Sequence, residues 1–329
     1  MILKIKNKLR NWSDRSHFGS RVFQFARSFM ARTMLILPDK AYAKWFYKLY
    51  TGKKINLDNP KRFDEKVWWL KLNNRDPLMT KCSDKYEVRE YVKSCGYEDI
   101  LIPNLAVYDR AKDIEFDKFS SEVIIKSTSG SGENIFLSRA IDKKQKKAII
   151  KRMRYTLRQN PFIYSREWNY KNIKPRIVVD KVIRDKNGNL PIDYKFMCFD
   201  GEPKLLFLDI GLVDKDNVYN HKYPRNIYDM EFNLLPMKET RDNYMGKVEK
   251  PDNWDKMIEI ARSLSSPFPF CRVDLYNVDG KIYFGEITFY HGGGCNNVQP
   301  EEWDFRMGDW IDINSEKIVR KKRRGKDKE

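Results

Sequence analysis

Apolar positions along the chain switch between two periods, and the switches mark its elements. Near the start, Ile2, Ile5, Leu9 and Trp12 recur at helical spacing with Lys4, Lys6, Lys8 and Arg10 between them. A second stripe, Phe18, Val22, Phe25 and Phe29, follows a break near Gly19. Asn59-Pro60 marks a turn before Phe63–Leu70, which reads as helix. Ser83 is placed to cap another helix through Tyr86, Val88, Tyr91 and Val92 that stops before Gly96. From residue 97 to 125 short apolar runs alternate with turns, and Glu122–Lys126 is a strand with Ile135–Leu137 as its hairpin partner. Residues 142–158 read as a basic surface helix. A series of hairpin signals follows: Arg176–Ile183 into Asn187-Gly188, Asp193–Phe199 into Asp200-Gly201, then Leu205–Ile210. Trp254–Leu264 is an amphipathic helix, and Cys271–Tyr276 and Lys281–Phe289 form a last hairpin around Asp279-Gly280. There are no internal repeats. Strands in hairpins with helices between them predict an α+β fold rather than a doubly wound sheet.

Length and composition narrow the class. The 329 residues suit two or three packed subdomains. With 41% hydrophobic and 14% aromatic residues the chain can bury a sizeable core, which excludes wholesale disorder. No apolar run approaches the ~18 residues of a spanning helix. The start of the chain does not read as a signal peptide, because its apolar residues alternate with lysines and no small-residue cleavage site follows. Five scattered cysteines without a C-x-x-C predict reduced thiols in a cytosolic protein rather than a zinc site or disulfide framework.

Charge changes the picture through its location. The formal net charge is +18, yet residues 1–54 carry +11 (thirteen Lys/Arg, two acids) and residues 316–329 carry +5 (eight Lys/Arg, three acids). That leaves +2 for residues 55–315. Basic ends on a near-neutral body predict an anionic membrane surface or an acidic polymer as partner, and no nucleic acid, whose enzymes spread charge along a groove. The first stripe equally suits a helix packed on the protein's own core.

Several segments could carry chemistry. Lys126-Ser127-Thr128-Ser129-Gly130-Ser131-Gly132 is a strand, a lysine and a small-residue loop, whose backbone N–H groups can cradle phosphate or simply turn a hairpin. Asp274 and Glu286 lie on the two arms of the last hairpin, beside Arg272, and carboxylates so placed suit Mg²⁺ with a nucleotide's phosphates. A three-residue loop Val278-Asp279-Gly280 sets Arg272 opposite Glu286 with Asp274 one diagonal away on the same face. A two-residue Asp-Gly loop instead puts the two acids on opposite faces. Asp180-Lys181 and Asp193-Tyr194-Lys195 place charge inside strands. His291-Gly-Gly-Gly-Cys295 is a mobile substrate loop or a turn, and Asp214-Lys215-Asp216 matches the D-x-D of metal-dependent glycosyltransferases.

The order of these pieces resembles the ATP-grasp superfamily, and within it the teichuronopeptide-biosynthesis (TupA-like) ATP-grasp family. The resembling stretches are residues 83–92, 123–132, 193–201, 271–276 and 283–289, with Asn59–Lys66 similar to that family's N-terminal motif. The resemblance implies two α+β subdomains clasping ATP, preceded by a helical N-terminal segment. The implied division is a basic amphipathic segment 1–54, a subdomain 55–120, a lid subdomain 121–200 with the Gly-rich loop, a C-terminal subdomain 201–312 with the Mg²⁺ site, and a basic tail 313–329. Lys85, Lys126, Ser129, Gly130, Ser131 and Gly132 would meet the phosphates of ATP. Asp180, Lys181 and Ile183 would line the adenine and Asp193 the ribose. Asp274 and Glu286 would hold Mg²⁺, with Thr288 where the wider superfamily usually has Asn. Asp180 stands where a Glu is usual. Arg272 and Lys195 would stabilise the transferring phosphoryl group. The implied activity is carboxylate–amine ligation through an acyl-phosphate, joining an amino acid or amine to a uronic acid of a cell-surface polysaccharide. The implied place is the cytoplasm, peripheral on the inner face of the membrane. A glycosyltransferase using Asp214 and Asp216, or a non-catalytic anionic-polymer or membrane binder, is the alternative.

Overall fold

The computed structural model describes residues 33–130, 134–138, 140–211 and 223–320. The apolar stripes of residues 2–29, Ser131, Gly132, Asp214, Asp216 and the basic run 321–324 lie outside the described residues.

Residues 39–94 are mostly helical. α1 (Asp39–Thr51) turns Tyr42, Ala43 and Tyr47 onto Ile55, Leu57 and Trp68. α2 (Phe63–Asn73) is nearly engulfed, and Glu65 fixes its start by accepting the Lys61 and Arg62 backbone N–H groups at 2.9 and 3.1 Å. α3 (Pro77–Ser83) opens on Asp76, which caps Leu78 N–H, and Pro77. The helix expected to start at Ser83 therefore starts later, at Val88. Ser83 ends α3, its hydroxyl donating to the Met79 carbonyl at 2.7 Å. Asp84 then accepts from Tyr86 and Glu87 N–H, turning the chain before α4 (Val88–Ser94).

A first antiparallel sheet has the order β1-β4-β2-β3, from β1 (Asn104–Tyr108), β2 (Val123–Ser127), β3 (Ile135–Leu137) and β4 (Ile177–Lys181). Alternation gives it two unlike faces. Val123, Ile125, Ile177 and Val179 pack with Met153 of α5 (Lys143–Thr156), while Ile124, Lys126, Phe136 and Asp180 point the other way. α6 (Pro161–Ser165) precedes β4.

A second antiparallel sheet has the order β10-β9-β5-β6-β7. Its strands are β5 (Asp193–Phe199), β6 (Glu202–Asp209), β7 (Arg225–Tyr228), β9 (Phe270–Val278) and β10 (Lys281–Thr288). A short β8 (Lys238–Glu239) pairs with β11 (Val298–Gln299). Phe196, Leu206, Leu208, Val273 and Leu275 pack onto Trp254, Met257, Ile260 and Leu264 of α7 (Trp254–Ser265). α8 (Glu301–Asp309) docks on α2, where Asp304 accepts from Phe63 N–H and Arg62.

Two sequence expectations about hairpins change. The Asn187-Gly188 turn forms but does not fold β4 back onto β5: β4 lies between β1 and β2, and the chain crosses to the other sheet. The β9–β10 loop is the two-residue Asp279-Gly280, both with positive φ (50° and 83°), as a tight hairpin turn requires. That loop alone would separate the two acids. A bulge at Gly285 shifts the register by one residue, so Glu286 pairs with Asp274 and Thr288 with Arg272. The expected opposition of Arg272 and Glu286 is thereby replaced by direct opposition of the two carboxylates.

Candidate active site

Between the two sheets lies a cleft, with a cavity of about 210 Å³ at one end. Ile124, Lys126 and Phe136 line it from the first sheet, Asp193, Asp209 and Tyr276 from the second. Lys181, Val182 and Ile183 close one side where the chain leaves β4. The walls are mostly apolar with a few convergent polar groups, the usual make-up of a small-molecule site.

The polar face of the second sheet follows from its register. Lys195 pairs with Asp274, Asp193 with Asp209 on one side and Tyr276 on the other, so all five side chains project to one face. Because β5 is central and covered on both faces, Asp193 and Lys195 are buried, and so are Asp209 and Asp274. Buried charges persist only when paired. Lys195 binds Asp193 and lies 3.3 Å from Asp274 and 3.7 Å from Asp209. Arg272 grips Asp274 with Nε and Nη2, both at 2.6 Å, and Nη2 also reaches Glu286 Oε1 at 2.9 Å. The Thr288 hydroxyl donates to the same Oε1 at 3.1 Å.

These contacts set the charges. Burial opposes ionisation of Asp274, but Arg272 and Lys195 hold its carboxyl below the usual range. Burial likewise works against Lys195, yet Asp193 and Asp274 raise its pKa. Burial lifts the Asp193 carboxyl to about 6 against the pull of Lys195. Asp193 Oδ1 is buried without a protein hydrogen-bond partner at the wall of the cavity, a position for an external donor.

The first sheet brings a second set. Lys126 Nζ lies 2.9 Å from Asp180 Oδ2, and Asn104 Nδ2 donates to Asp180 Oδ1 at 2.9 Å. Lys85 comes from the α3–α4 connection: its N–H donates to the Thr128 carbonyl at 3.1 Å and its ammonium to the Gly130 carbonyl. Burial lowers the Lys85 pKa, with Glu286 pulling it back up and Lys126 pushing it down, so these three groups share one electrostatic neighbourhood. The loop after β2 is held at its base: Thr128 exchanges hydrogen bonds with the Arg176 backbone at 2.8 and 3.0 Å. Ser129 is buried and Gly130 has φ 83°.

Thus Lys85, Lys126, Ser129, Gly130, Asp180, Lys181, Ile183, Asp193, Lys195, Arg272, Asp274, Glu286 and Thr288 all gather on or beside one cleft. Sequence reasoning missed Asp209 and Tyr276. Tyr276 follows Asp274 at strand period two, and Asp209 ends the apolar run Leu205–Ile210, so alternation carried a signal for both. It also missed Arg225 and Glu239, which reach the site only through tertiary contacts.

The donor set suits Mg²⁺, which keeps several waters and takes one or two carboxylates plus substrate phosphates. Glu286, with its side chain 42% exposed, would be the open ligand, and Asp274 stands directly across from it. Among the described residues no group of three or more acidic, histidine or cysteine side chains could hold a metal alone.

Two antiparallel sheets closing on a cleft of lysines and opposed carboxylates define an ATP-grasp fold. The chain belongs to the TupA-like ATP-grasp family, whose sequence model matches residues 65–312. No curated protein sequence matches it. Among solved structures it is similar to a D-alanine–D-alanine ligase from Bacillus anthracis in complex with ATP (15% identity, 64% of this chain and 54% of that one, TM-score 0.36). It is also similar to an L-amino acid ligase from Bacillus licheniformis (14%, 71% and 51%, 0.42) and a D-alanine–D-alanine ligase from Helicobacter pylori (12%, 71% and 59%, 0.40). The chain thus matches only between half and three-fifths of the length of these solved structures.

Proposed function

We propose that this protein is a Mg·ATP-dependent carboxylate–amine ligase working through an acyl-phosphate. The observation that carries the reading is the direct opposition of Asp274 and Glu286, braced by Arg272, at a cleft that Lys85 and Lys126 enter from the other side. Purine and ribose would occupy the cavity between Ile124, Ile183 and Tyr276, with Asp193 Oδ1 accepting from a ribose hydroxyl. Lys85, Lys126 and the loop from Ser129 through Gly132 would hold the phosphates. Asp274 and Glu286, with Thr288, would hold Mg²⁺, which supplies charge neutralisation at the transferring phosphoryl group.

In the first step a substrate carboxylate oxygen forms a bond to the γ-phosphorus as the bond to ADP breaks. Lys126, Lys195 and Arg272 are largely buried and provide fixed positive charge, which is worth more there than in water. In the second step an amine nitrogen attacks the acyl carbon, a proton leaves the nitrogen and inorganic phosphate departs. Arg272, committed to Asp274 and Glu286 by several bonds, is held ready without rearrangement.

For the substrates we infer an amino acid or amine and a uronic acid of a cell-surface polysaccharide, from the teichuronopeptide resemblance. For the place we infer the cytoplasmic face of an anionic membrane, from the +11 on residues 1–54. Described residues agree in kind: α1 exposes Lys40, Lys44 and Lys48 at helical spacing, close to the exposed Ile36 and Trp45. The experiment that tests the activity is phosphate release from ATP across a matrix of uronic acids and amino acids.

A further inference from the structure

The His291-Gly-Gly-Gly turn has no part in the reaction as derived, yet it is tightly built into the site. His291 is 3% exposed, with the Phe207 ring edge-on at 5.3 Å. Gly292, Gly293 and Gly294 all take positive φ, which lets the turn lie flat on α2. Lys71 Nζ donates to the Gly293 carbonyl at 2.7 Å and Trp68 Nε1 to the Gly294 carbonyl at 2.9 Å. Asn296 Nδ2 donates to the His291 carbonyl at 3.1 Å and, like its own backbone N–H, to Asp64. This is a fixed mount and not a mobile loop.

The imidazole spans two charged groups. Nδ1 lies 3.1 Å from Arg272 Nη1, and Nε2 lies 3.0 Å from Glu239 Oε1. A guanidinium only donates, so Nδ1 must present its lone pair. A carboxylate only accepts, so Nε2 must carry the proton. The contacts therefore define one state, the neutral Nε2–H tautomer. A second proton on Nδ1 would face the Arg272 N–H. Burial agrees, lowering the His291 pKa against the pull of Glu239.

His291 also closes a ring. Glu239 binds Arg225, Arg225 Nη2 reaches Asp209 at 2.9 Å, and Asp209 lies 3.7 Å from Lys195. Lys195 leads to Asp274 and Asp274 back to Arg272. Seven side chains from β5, β6, β7, β8, β9 and the turn after β10 thus hold one another.

The consequence falls on Arg272. Of its five N–H groups, Nε–H and both Nη2–H groups go to Asp274 and Glu286, and one Nη1–H goes to His291. Among the described residues the remaining N–H is the second one on Nη1. The guanidinium is planar, so the direction of this N–H is set by the Asp274 grip together with the His291 bond to the same nitrogen. We propose that neutral His291, mounted on Glu239, is a positioning residue that aims the last free N–H of Arg272 at the substrate oxygen on which charge develops. This rests on the ligase reading above. A neutral acceptor does this without offsetting the guanidinium charge, which a carboxylate in its place would do.

The test uses the full-length protein and two readouts. The sequence has three histidines, so ¹⁵N-histidine NMR with H291N as the assignment control isolates the His291 signals. The proposal predicts an unprotonated Nδ1 and a protonated Nε2 at neutral pH. A protonated Nδ1, alone or in an imidazolium, overturns it whether or not turnover has been found. The second readout compares H291N with H291Q. The Asn side-chain oxygen stands on the Nδ1 branch and can still accept from Arg272, whereas the Gln amide reaches only toward Glu239. The expected result is a kcat loss of about 10²-fold in H291Q, the size of a misplaced catalytic group, with H291N much nearer wild type and KM for ATP little changed in both. Equal losses in the two variants, or a change confined to KM for ATP, would show a merely structural role. Absence of ATP-dependent ligation in the wild type would instead count against the ligase reading, and the NMR result would still decide whether His291 Nδ1 is the acceptor that the contact with Arg272 requires.

Discussion

Asp274 and Glu286 are cross-strand partners only because Gly285 is an extra residue in β10. A Cβ at position 285 would sit 2.9 Å from the Asp274 carbonyl oxygen, closer than real Cβ contacts come. The bulge therefore needs glycine for space. Gly285→Ala should cost about 1–3 kcal/mol by overpacking and pull Glu286 out of register, lowering ATP turnover at least as much as Glu286→Gln. Thermal unfolding and phosphate release check this together. A variant as stable and active as wild type would show that the bulge tolerates a side chain.

Lys126 is a strand residue that pairs with Asp180 at 2.9 Å, with both side chains mostly buried. A charge-assisted contact to phosphate is worth about 1.5–3 kcal/mol, so Lys126→Met should weaken ATP binding by about 10- to 100-fold. Calorimetric titration of ATP measures it. Unchanged affinity would reduce Lys126 to a partner of Asp180.

Asp64 gives a pH signature away from the cleft. Burial pushes its carboxyl up to about 8, although Asn296 donates to it twice at 2.7 and 2.8 Å. Its unfolded value is about 3.9, so the folded state favours the protonated form. The stability this contributes is fully present below about pH 4 and is lost as pH rises through about 8. Denaturant unfolding of the wild type should therefore weaken across that window, and Asp64→Asn should flatten the slope. An identical slope in the variant would mean that Asp64 ionises normally.

The basic N-terminal segment should act as an address. Each Lys or Arg near an anionic surface contributes about 1 kcal/mol, so a handful engaged together gives reversible, salt-sensitive attachment. Deleting residues 1–16 should abolish sedimentation with anionic liposomes while ATP turnover on soluble substrate remains. An inactive or aggregated deletion, with no liposome binding by the intact chain, would assign the segment to the fold.

Local patterns made much of this protein legible. β2, β3, β5, β6, α5 and α7 announce themselves by period and by turn chemistry, and the order of Lys85, Lys126, Asp193, Asp274 and Glu286 sufficed to suggest one cleft. What sequence could not supply was pairing. Asn187-Gly188 has the composition of a hairpin turn, but tertiary packing sends β4 into one sheet and β5 into the other. Asp279-Gly280 was ambiguous between loop lengths, and the bulge that decides the outcome lies five residues further on. Ser83 has an N-cap's chemistry but ends a helix, because Asp84 captures the Tyr86 and Glu87 N–H groups. Arg225, Glu239 and His291 are far apart in sequence, and only the folded chain joins them to Arg272.

The most direct measurement is phosphate release from Mg·ATP over paired uronic acids and amino acids, with Glu286→Gln and Asp274→Asn in parallel. The ligase reading predicts release that requires both a carboxylate and an amine, and its loss in both variants while the fold persists. Release in no pairing, turnover of a nucleotide-sugar instead, or near-wild-type release in both variants would contradict it.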